Sequence, residues 1–167
     1  MNCLTLYESN PGMNKRWGIA LATWGGLGYF PKGQGTVASA AAVAIAYGAS
    51  EAFQVAPAWF GLAALVFSLP AIRSAVISLE HFGRRDPPQV VIDEVVGQWL
   101  VVAVVAQDSW QSWLASLLLF RIFDIVKPWP IRKLESLPDG VGIVADDAAA
   151  GLCAIIVMKV LQYLSVW

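Results

Sequence analysis

Histidine and cysteine are nearly absent from this sequence. Its 167 residues include one histidine, His81, and two cysteines, Cys3 and Cys153. A site for zinc or another soft-ligand metal typically needs a cluster of these side chains, so the sequence argues against such a site. Cys3 lies near the terminus and Cys153 in an apolar run, so we expect no disulfide framework. Neither cysteine has the setting of an activated nucleophile followed by an arginine, so we expect no cysteine phosphatase. The sequence also lacks the two histidines that one class of phosphatases uses and the Asp-x-Asp pair that another class uses.

Charged residues are scarce as well. They make up 14% of the chain, whereas 57% of the residues are hydrophobic and the mean hydropathy is +0.61. A soluble domain of this length needs more charge on its surface, so a membrane protein is favoured over a soluble all-α protein with a buried helix pair. The formal net charge of −1 provides no basic field, and we expect no nucleic-acid partner.

Five apolar runs organise the chain, although several are marginal against the roughly 20 helical residues that a bilayer core requires. The preceding stretch, Trp17 to Phe30, would be only about 21 Å long as a helix. We interpret this stretch as an interfacial helix and expect no cleaved signal peptide. The prediction is one all-α domain over residues 1–167, an integral membrane bundle of about five spanning helices. The expected spans are Thr36 to Ala52, Pro57 to Leu79, Val90 to Ala106, Trp110 to Val126 and Ala145 to Val166.

Basic residues predict how the bundle is oriented. They precede the first span and occupy the connections between spans two and three and between spans four and five, whereas the other two connections contain no Lys or Arg. Positive loops favour the cytoplasm, so all the basic segments are predicted to lie on that side of the membrane. The residues concerned are Lys15, Arg16, Lys32, Arg84, Arg85, Lys127, Arg132 and Lys133.

Acidic residues gather near the same side of the membrane. Carboxylates at membrane depth are costly and usually functional. A favourable helix dipole would explain one acidic doublet at a helix start, but not two doublets together with Asp124 at the end of its helix. Oxygen-only ligands suit Mg²⁺, so we predict a shared Mg²⁺ site that holds one or two ions. The acidic set comprises Asp86, Asp93, Glu94, Asp124, Asp139, Asp146 and Asp147.

Groups that suit a phosphate accompany the acids. Arg121, Asp124 and Lys127 are spaced three apart and therefore share one stripe of a helix. The glycine-rich segment from Gly26 to Thr36 leads into a helix amino terminus, where backbone amides can hold an anion and Thr36 can cap the helix or contact a phosphate. A tight bend before the first span would explain the same glycines, and both interpretations stay open. Because covalent routes lack their nucleophiles, the remaining chemistry is direct attack by a water molecule that a metal ion activates.

Three strings, in order, resemble the phosphatidylglycerophosphatase A family: VIDEVVG at 91–97, FRIFDIVKPWPI at 120–131 and GIVADD at 142–147. They follow a Gly-Thr turn at residues 35–36, and the resemblance covers roughly residues 26–151. It implies a bacterial enzyme of the cytoplasmic (inner) membrane that converts phosphatidylglycerophosphate to phosphatidylglycerol with Mg²⁺. The functional polar residues that it implies are Asp93, Glu94, Asp124, Lys127, Asp146 and Asp147, together with Asp86 and Arg121.

The combined prediction is a multi-pass Mg²⁺-dependent phosphatase of phospholipid biosynthesis with its active site at the cytoplasmic face. The predicted catalytic residues are Asp93, Glu94, Asp124, Lys127, Asp146 and Asp147, and the predicted metal ligands are Asp86, Asp93, Glu94, Asp146 and Asp147. Arg121, Lys127 and Thr36 are expected to contact the scissile phosphate, and Lys32, Arg84 or Arg85 to anchor a second phosphate. The alternatives are an ion- or proton-translocating protein, which would carry its acids near the bilayer midplane, and a non-catalytic assembly subunit.

The predicted orientation can be tested by labelling single cysteines in a cysteine-free background. Cysteines at Gly83 and Ser136 should be shielded from an impermeant maleimide added to spheroplasts, because both positions belong to basic connections. A cysteine at Ser109 should react under the same conditions. Labelling of Gly83 and Ser136 on opposite sides of the membrane would contradict a shared cytoplasmic site.

Overall fold

A computed structural model describes residues 13–84, 86–105 and 109–164. Within these ranges the chain forms seven α-helices and one short 3-10 helix (Leu27–Tyr29), with no strand, which confirms the all-α prediction. The helices are α1 (Lys15–Ala22), α2 (Gln34–Phe53), α3 (Ala58–Phe82), α4 (Ile92–Val102), α5 (Trp110–Val126), α6 (Ile131–Leu134) and α7 (Asp139–Tyr163).

Three of these helices are long and apolar enough to cross a membrane: α2, α3 and the segment Gly140–Tyr163 of α7. The 20 residues of α2 extend about 30 Å, which matches the thickness of a hydrocarbon core. Large apolar side chains are exposed along these helices, among them Leu65 and Leu69 on α3 and Ile156 on α7. Such surfaces suit contact with lipid and support a membrane protein.

The third predicted span, Val90 to Ala106, forms a much shorter helix than expected. With 11 residues, α4 is about 16 Å long, too short to cross a bilayer alone. Eight of its residues are buried, because α2, α3, α5 and α7 surround it. An apolar run can therefore reflect burial inside a bundle as well as contact with lipid, and non-helical backbone is tolerated at membrane depth when protein encloses it.

The other predicted segments are recovered in part. The 17 residues of α5 match the fourth predicted span but fall short of the three long helices, so five spans are not confirmed. The fifth predicted span coincides with α7 from Ala145 to Tyr163 and extends beyond the end of this helix. Its residues 165 and 166 are outside the described part of the chain, as is Ala106 of the third span. The predicted interfacial stretch divides into α1 and the 3-10 helix, joined by glycines 25 and 26 at positive φ. Its location at the membrane surface stays a prediction.

Two glycines bring α4 and α7 into backbone contact. A Cβ atom on Gly151 would lie 2.8 Å from the carbonyl oxygen of Gly97, and one on Gly97 would lie 2.7 Å from the carbonyl oxygen of Asp147. Only hydrogen atoms fit at these positions, as in other close helix crossings inside membranes. The contact fixes the height of α4 against α7, and with it the position of Asp93 and Glu94 relative to Asp147.

This contact predicts a contrast between two glycine substitutions. Gly151→Val should lower the thermal unfolding temperature in detergent by several degrees and abolish most activity, because the added side chain forces α4 away from α7. Gly48→Val in α2 is the matched control, since a Cβ there meets nothing within 4 Å. Equal unfolding temperatures and activities for the two variants would show that the close crossing is not required.

Candidate active site

Acidic side chains from three helices converge at one end of the bundle. Asp93 and Glu94 lie in the first turn of α4, Asp124 in the last turn of α5, and Asp146 and Asp147 in the second and third turns of α7. The four aspartates are between 3% and 8% exposed. Burial of this kind is rare for a carboxylate unless a cation or a hydrogen bond compensates its charge.

Three of these acids form a compact group. Oxygen atoms of Asp93, Glu94 and Asp147 all lie within 4.8 Å of one another. Each of the three residues also has a buried oxygen without any hydrogen-bond partner: Oδ1 of Asp93, Oε2 of Glu94 and Oδ2 of Asp147. Repulsion between the carboxylates and their removal from water both oppose this arrangement when the groups are ionised. Hydrogen bonds do not compensate these oxygens, so the group requires a nearby positive charge.

The pKa of Asp93 shows the effect of this crowding of carboxylates. Burial raises the pKa of its carboxyl group well above the ordinary value, and the neighbouring Glu94 and Asp147 carboxylates raise it further. A divalent cation held by the three residues would oppose both effects and favour the ionised carboxylates. The donor set is made only of carboxylate oxygens, which is the chemistry that Mg²⁺ prefers. These residues therefore fit the predicted metal ion.

Two cations flank the acidic group, and both are already paired. Nη1 of Arg121 lies 2.5 Å from Oδ2 of Asp124 and 4.0 Å from Oε1 of Glu94. Nζ of Lys127 lies 2.5 Å from Oδ2 of Asp146. Burial alone would lower the pKa of Lys127, but the hydrogen bond and the charge of Asp146 outweigh burial and raise this pKa above its ordinary value. Lys127 therefore stays protonated at neutral pH.

The amino terminus of α2 borders the acidic group. Gln34 and Gly35 line a cavity of about 300 Å³ together with Asp93, Glu94 and Asp147. Any side chain at Gly35 would collide with the carboxylate of Glu94. Helix α2 starts after Gly33, whose φ of 71° is readily adopted only by glycine, so the tight bend is present. Gln34 and Gly35 of the first turn line the cavity, and the role of their backbone amides in holding an anion stays a prediction.

A second cavity, of about 330 Å³, opens from the same group toward α6. Asp93, Lys127 and Asp146 line its inner side, and Arg132, Glu135 and Ser136 line its outer side. From the sequence, Arg132 was expected only to contribute to the orientation of the bundle, and Glu135 had no predicted role. Their closeness to Lys127 in sequence was the available signal, because a helix as short as α6 keeps the chain near the end of α5.

The predicted metal ligands divide into two groups. Asp93, Glu94 and Asp147 lie together, whereas Asp146 pairs with Lys127, and Asp86 is exposed where the two cavities meet. The metal role of Asp86 and Asp146 stays a prediction.

The structure does not bring the other described residues that were predicted to contact phosphates into the two cavities. Thr36 is exposed and makes no capping hydrogen bond. Lys32 and Arg84 are exposed and line neither of the two cavities. Arg85 and the side chain of Asp139 lie outside the described part of the chain. The roles predicted for Thr36, Lys32 and Arg84 also stay predictions.

Known proteins resemble this chain over most of its length. The family model described as Phosphatidylglycerophosphatase A matches residues 20–162. A relative from Escherichia coli named phosphatidylglycerophosphatase A is 30% identical over 156 residues, which cover 87% of this chain and 83% of that protein. A protein of the same name from Haemophilus influenzae is 46% identical over 82 residues, covering 48% of this chain and 50% of that protein.

A differently named relative also matches. It comes from Bacteroides thetaiotaomicron, is provisionally named a phosphatidylinositol-3-phosphatase, and is 43% identical over 91 residues, covering 53% of this chain and 57% of that protein. The chain thus spans about half the length of this relative and of the one from Haemophilus influenzae. No solved structure matches the chain.

The uncompensated acidic group predicts a thermal signature of cation binding. In chelator, Asp147→Asn should unfold at the same temperature as the unaltered protein or higher, because the substitution removes one of three crowded negative charges. Added Mg²⁺ should raise the unfolding temperature of the unaltered protein by several degrees and that of Asp147→Asn far less. Glu51→Gln, at the opposite end of α2, is the matched control and should respond normally. An undiminished Mg²⁺ response in Asp147→Asn would contradict cation binding by this group.

Proposed function

The chain belongs to the phosphatidylglycerophosphatase A family, and on that premise we propose that it hydrolyses the terminal phosphate monoester of phosphatidylglycerophosphate. The products are phosphatidylglycerol and inorganic phosphate. The observation that carries the proposal is the compact group of Asp93, Glu94 and Asp147, each with one buried oxygen that lacks a hydrogen-bond partner, beside two cationic side chains. Such a group suits a reaction whose charge develops on phosphoryl oxygens.

We assign Mg²⁺ to this group, with Asp93, Glu94 and Asp147 as the residues that would hold it. When bound, the ion would supply positive charge to the phosphoryl oxygens and favour deprotonation of water. The unpaired carboxylate oxygens support this assignment independently of the family, because they are the donors that the ion requires.

The remaining charged residues suit binding and orientation of the phosphate. Protonated Lys127 can donate hydrogen bonds to the phosphoryl oxygens, and Asp146 holds its ammonium group at the cavity wall. Arg121 contributes a second positive charge that Asp124 holds in position. Asp124 is also suited to orient the attacking water. In the reaction, the water oxygen bonds to phosphorus and loses a proton, the bond from phosphorus to the glycerol oxygen breaks, and the glycerol oxygen gains a proton.

We further propose that the site lies at the cytoplasmic face of a bacterial inner membrane. The basic connections around the site support this orientation, since positive segments favour the cytoplasm. The ion- or proton-translocating alternative is less well supported, because the five site carboxylates gather at one end of the bundle instead of following a path through it.

Phosphate release by the purified protein in detergent micelles tests the proposal. We expect release from phosphatidylglycerophosphate that is lost in excess chelator and restored by Mg²⁺. Release should be slower from phosphatidic acid and very slow from water-soluble glycerol phosphate. Phosphatidylinositol 3-phosphate belongs in the same assay because of the name of the relative from Bacteroides thetaiotaomicron. A clear preference for that lipid would refute the substrate assignment, and full activity in chelator would refute the metal.

The acidic group has its own test in the same assay. Asp93→Asn preserves size but removes a charge that attracts the cation, and it should lower kcat about a hundredfold or more. Glu51→Gln removes a carboxylate far from the site and should leave kcat unchanged. Near-normal turnover by a folded Asp93→Asn protein would show that the group is structural.

A further inference from the structure

Arg132 is not paired with a carboxylate, unlike the two cationic side chains inside the site. Arg121 and Lys127 are each paired with a carboxylate at 2.5 Å. Within the described ranges, Arg132 forms neither an ion pair nor a hydrogen bond with another residue, and it is exposed. Its neighbour Lys133 differs, because its ammonium group lies 5.1 Å from the centre of the Trp129 ring. A free guanidinium group on a cavity wall is available for an anion.

The position of Arg132 relative to the acidic group is equally informative. Both Arg132 and Asp93 line the cavity of about 330 Å³, a volume within the range of ligand pockets. Asp93 is buried on the inner side, whereas Arg132 is exposed on the outer rim. Under the proposed function, a lipid whose monoester phosphate reaches the acidic group extends along this cavity, and an anionic group that remains outside the bundle would lie beside Arg132.

We infer that Arg132 binds the phosphodiester that joins the headgroup to the diacylglycerol of the substrate. This assignment rests on the proposed function and adds a specificity-determining residue to it. The terminal monoester enters the acidic site, and the diester stays at the rim beside Arg132. The ligand class is a phospholipid with both a diester and a monoester phosphate, and phosphatidic acid, which has a single phosphate, lacks the group that Arg132 recognises.

The cavity wall also suits the spacer between the two phosphates. The carboxylates of Asp86 and Glu135 line it, and either can accept a hydrogen bond from the single free hydroxyl of the glycerol spacer. Both carboxylates are exposed to solvent, so water and salt weaken their repulsion of the diester. The guanidinium of Arg132 can meet two diester oxygens at once, which an ammonium group cannot do with the same geometry.

Binding of the product phosphatidylglycerol tests the diester contact alone, because this lipid retains the diester phosphate and lacks the monoester. Isothermal titration with short-chain phosphatidylglycerol should show binding to the unaltered protein and about tenfold weaker binding to Arg132→Ala. Arg132→Lys should recover only part of the affinity. Lys133→Ala is the matched control, since it removes the adjacent positive charge, and it should bind like the unaltered protein. Absence of product binding to the unaltered protein, or equal affinity in Arg132→Ala, would overturn the inference.

Kinetics provide the second readout, again with Lys133→Ala as the control. For phosphatidylglycerophosphate, Arg132→Ala should raise KM about tenfold and change kcat little, because a remote anchor contributes uniform binding. Inhibition by inorganic phosphate should be unchanged, and the preference over phosphatidic acid should shrink. A fall in kcat with unchanged KM would instead assign Arg132 to the scissile phosphate. If the unaltered protein binds phosphatidylglycerol through Arg132 but releases no phosphate, the proposed function fails and the diester site stands.

Discussion

Backbone contact between α4 and α7 is the constraint on which the site depends. Gly97 and Gly151 allow the two helices to approach until carbonyl oxygens occupy the space that side chains would need. Asp93 and Glu94 precede Gly97 on α4 by about one turn, and Asp147 precedes Gly151 by about one turn on α7. The same contact therefore aligns the acidic side chains. Apolar packing around α4, with Val91, Val95 and Val96 nearly inaccessible, stabilises an arrangement that the carboxylates themselves oppose.

The charges of the site are divided by function. Five carboxylates face two cations, and each cation is used by an aspartate outside the compact group: Asp124 holds Arg121 and Asp146 holds Lys127. These pairs fix the orientation of the two cationic groups, and within the compact group only Glu94 lies at ion-pair distance from one of them, 4.0 Å from Arg121. The remaining negative charge is then concentrated on three residues, an arrangement that could hold a divalent cation. A site with more internal ion pairs would fold more easily but would bind a metal less well.

The sequence predicted the chemistry of this site better than its geometry. Two acidic doublets and Asp124 indicated a cation site because no local effect explains all of them, and the structure brings Asp93, Glu94 and Asp147 together. The pairing of Asp146 with Lys127 was not predictable, since helical spacing relates residues only within one helix. The length of α4 was misjudged because hydropathy reports burial without saying whether lipid or protein provides it. Arg132 was overlooked for a related reason: its proximity to Asp93 depends on the cavity between α4, α6 and α7.

The enclosure of α4 also governs how a newly synthesised chain can be assembled in the membrane. An eleven-residue helix that carries Asp93 and Glu94 in its first turn is a poor substrate for independent insertion into lipid. Its main neighbours include α7, which the ribosome produces more than thirty residues later. Until α7 arrives, one side of α4 has no protein partner. Assembly of the acidic site is therefore a late event of biogenesis, and a nascent chain released before α7 has no means of gathering it.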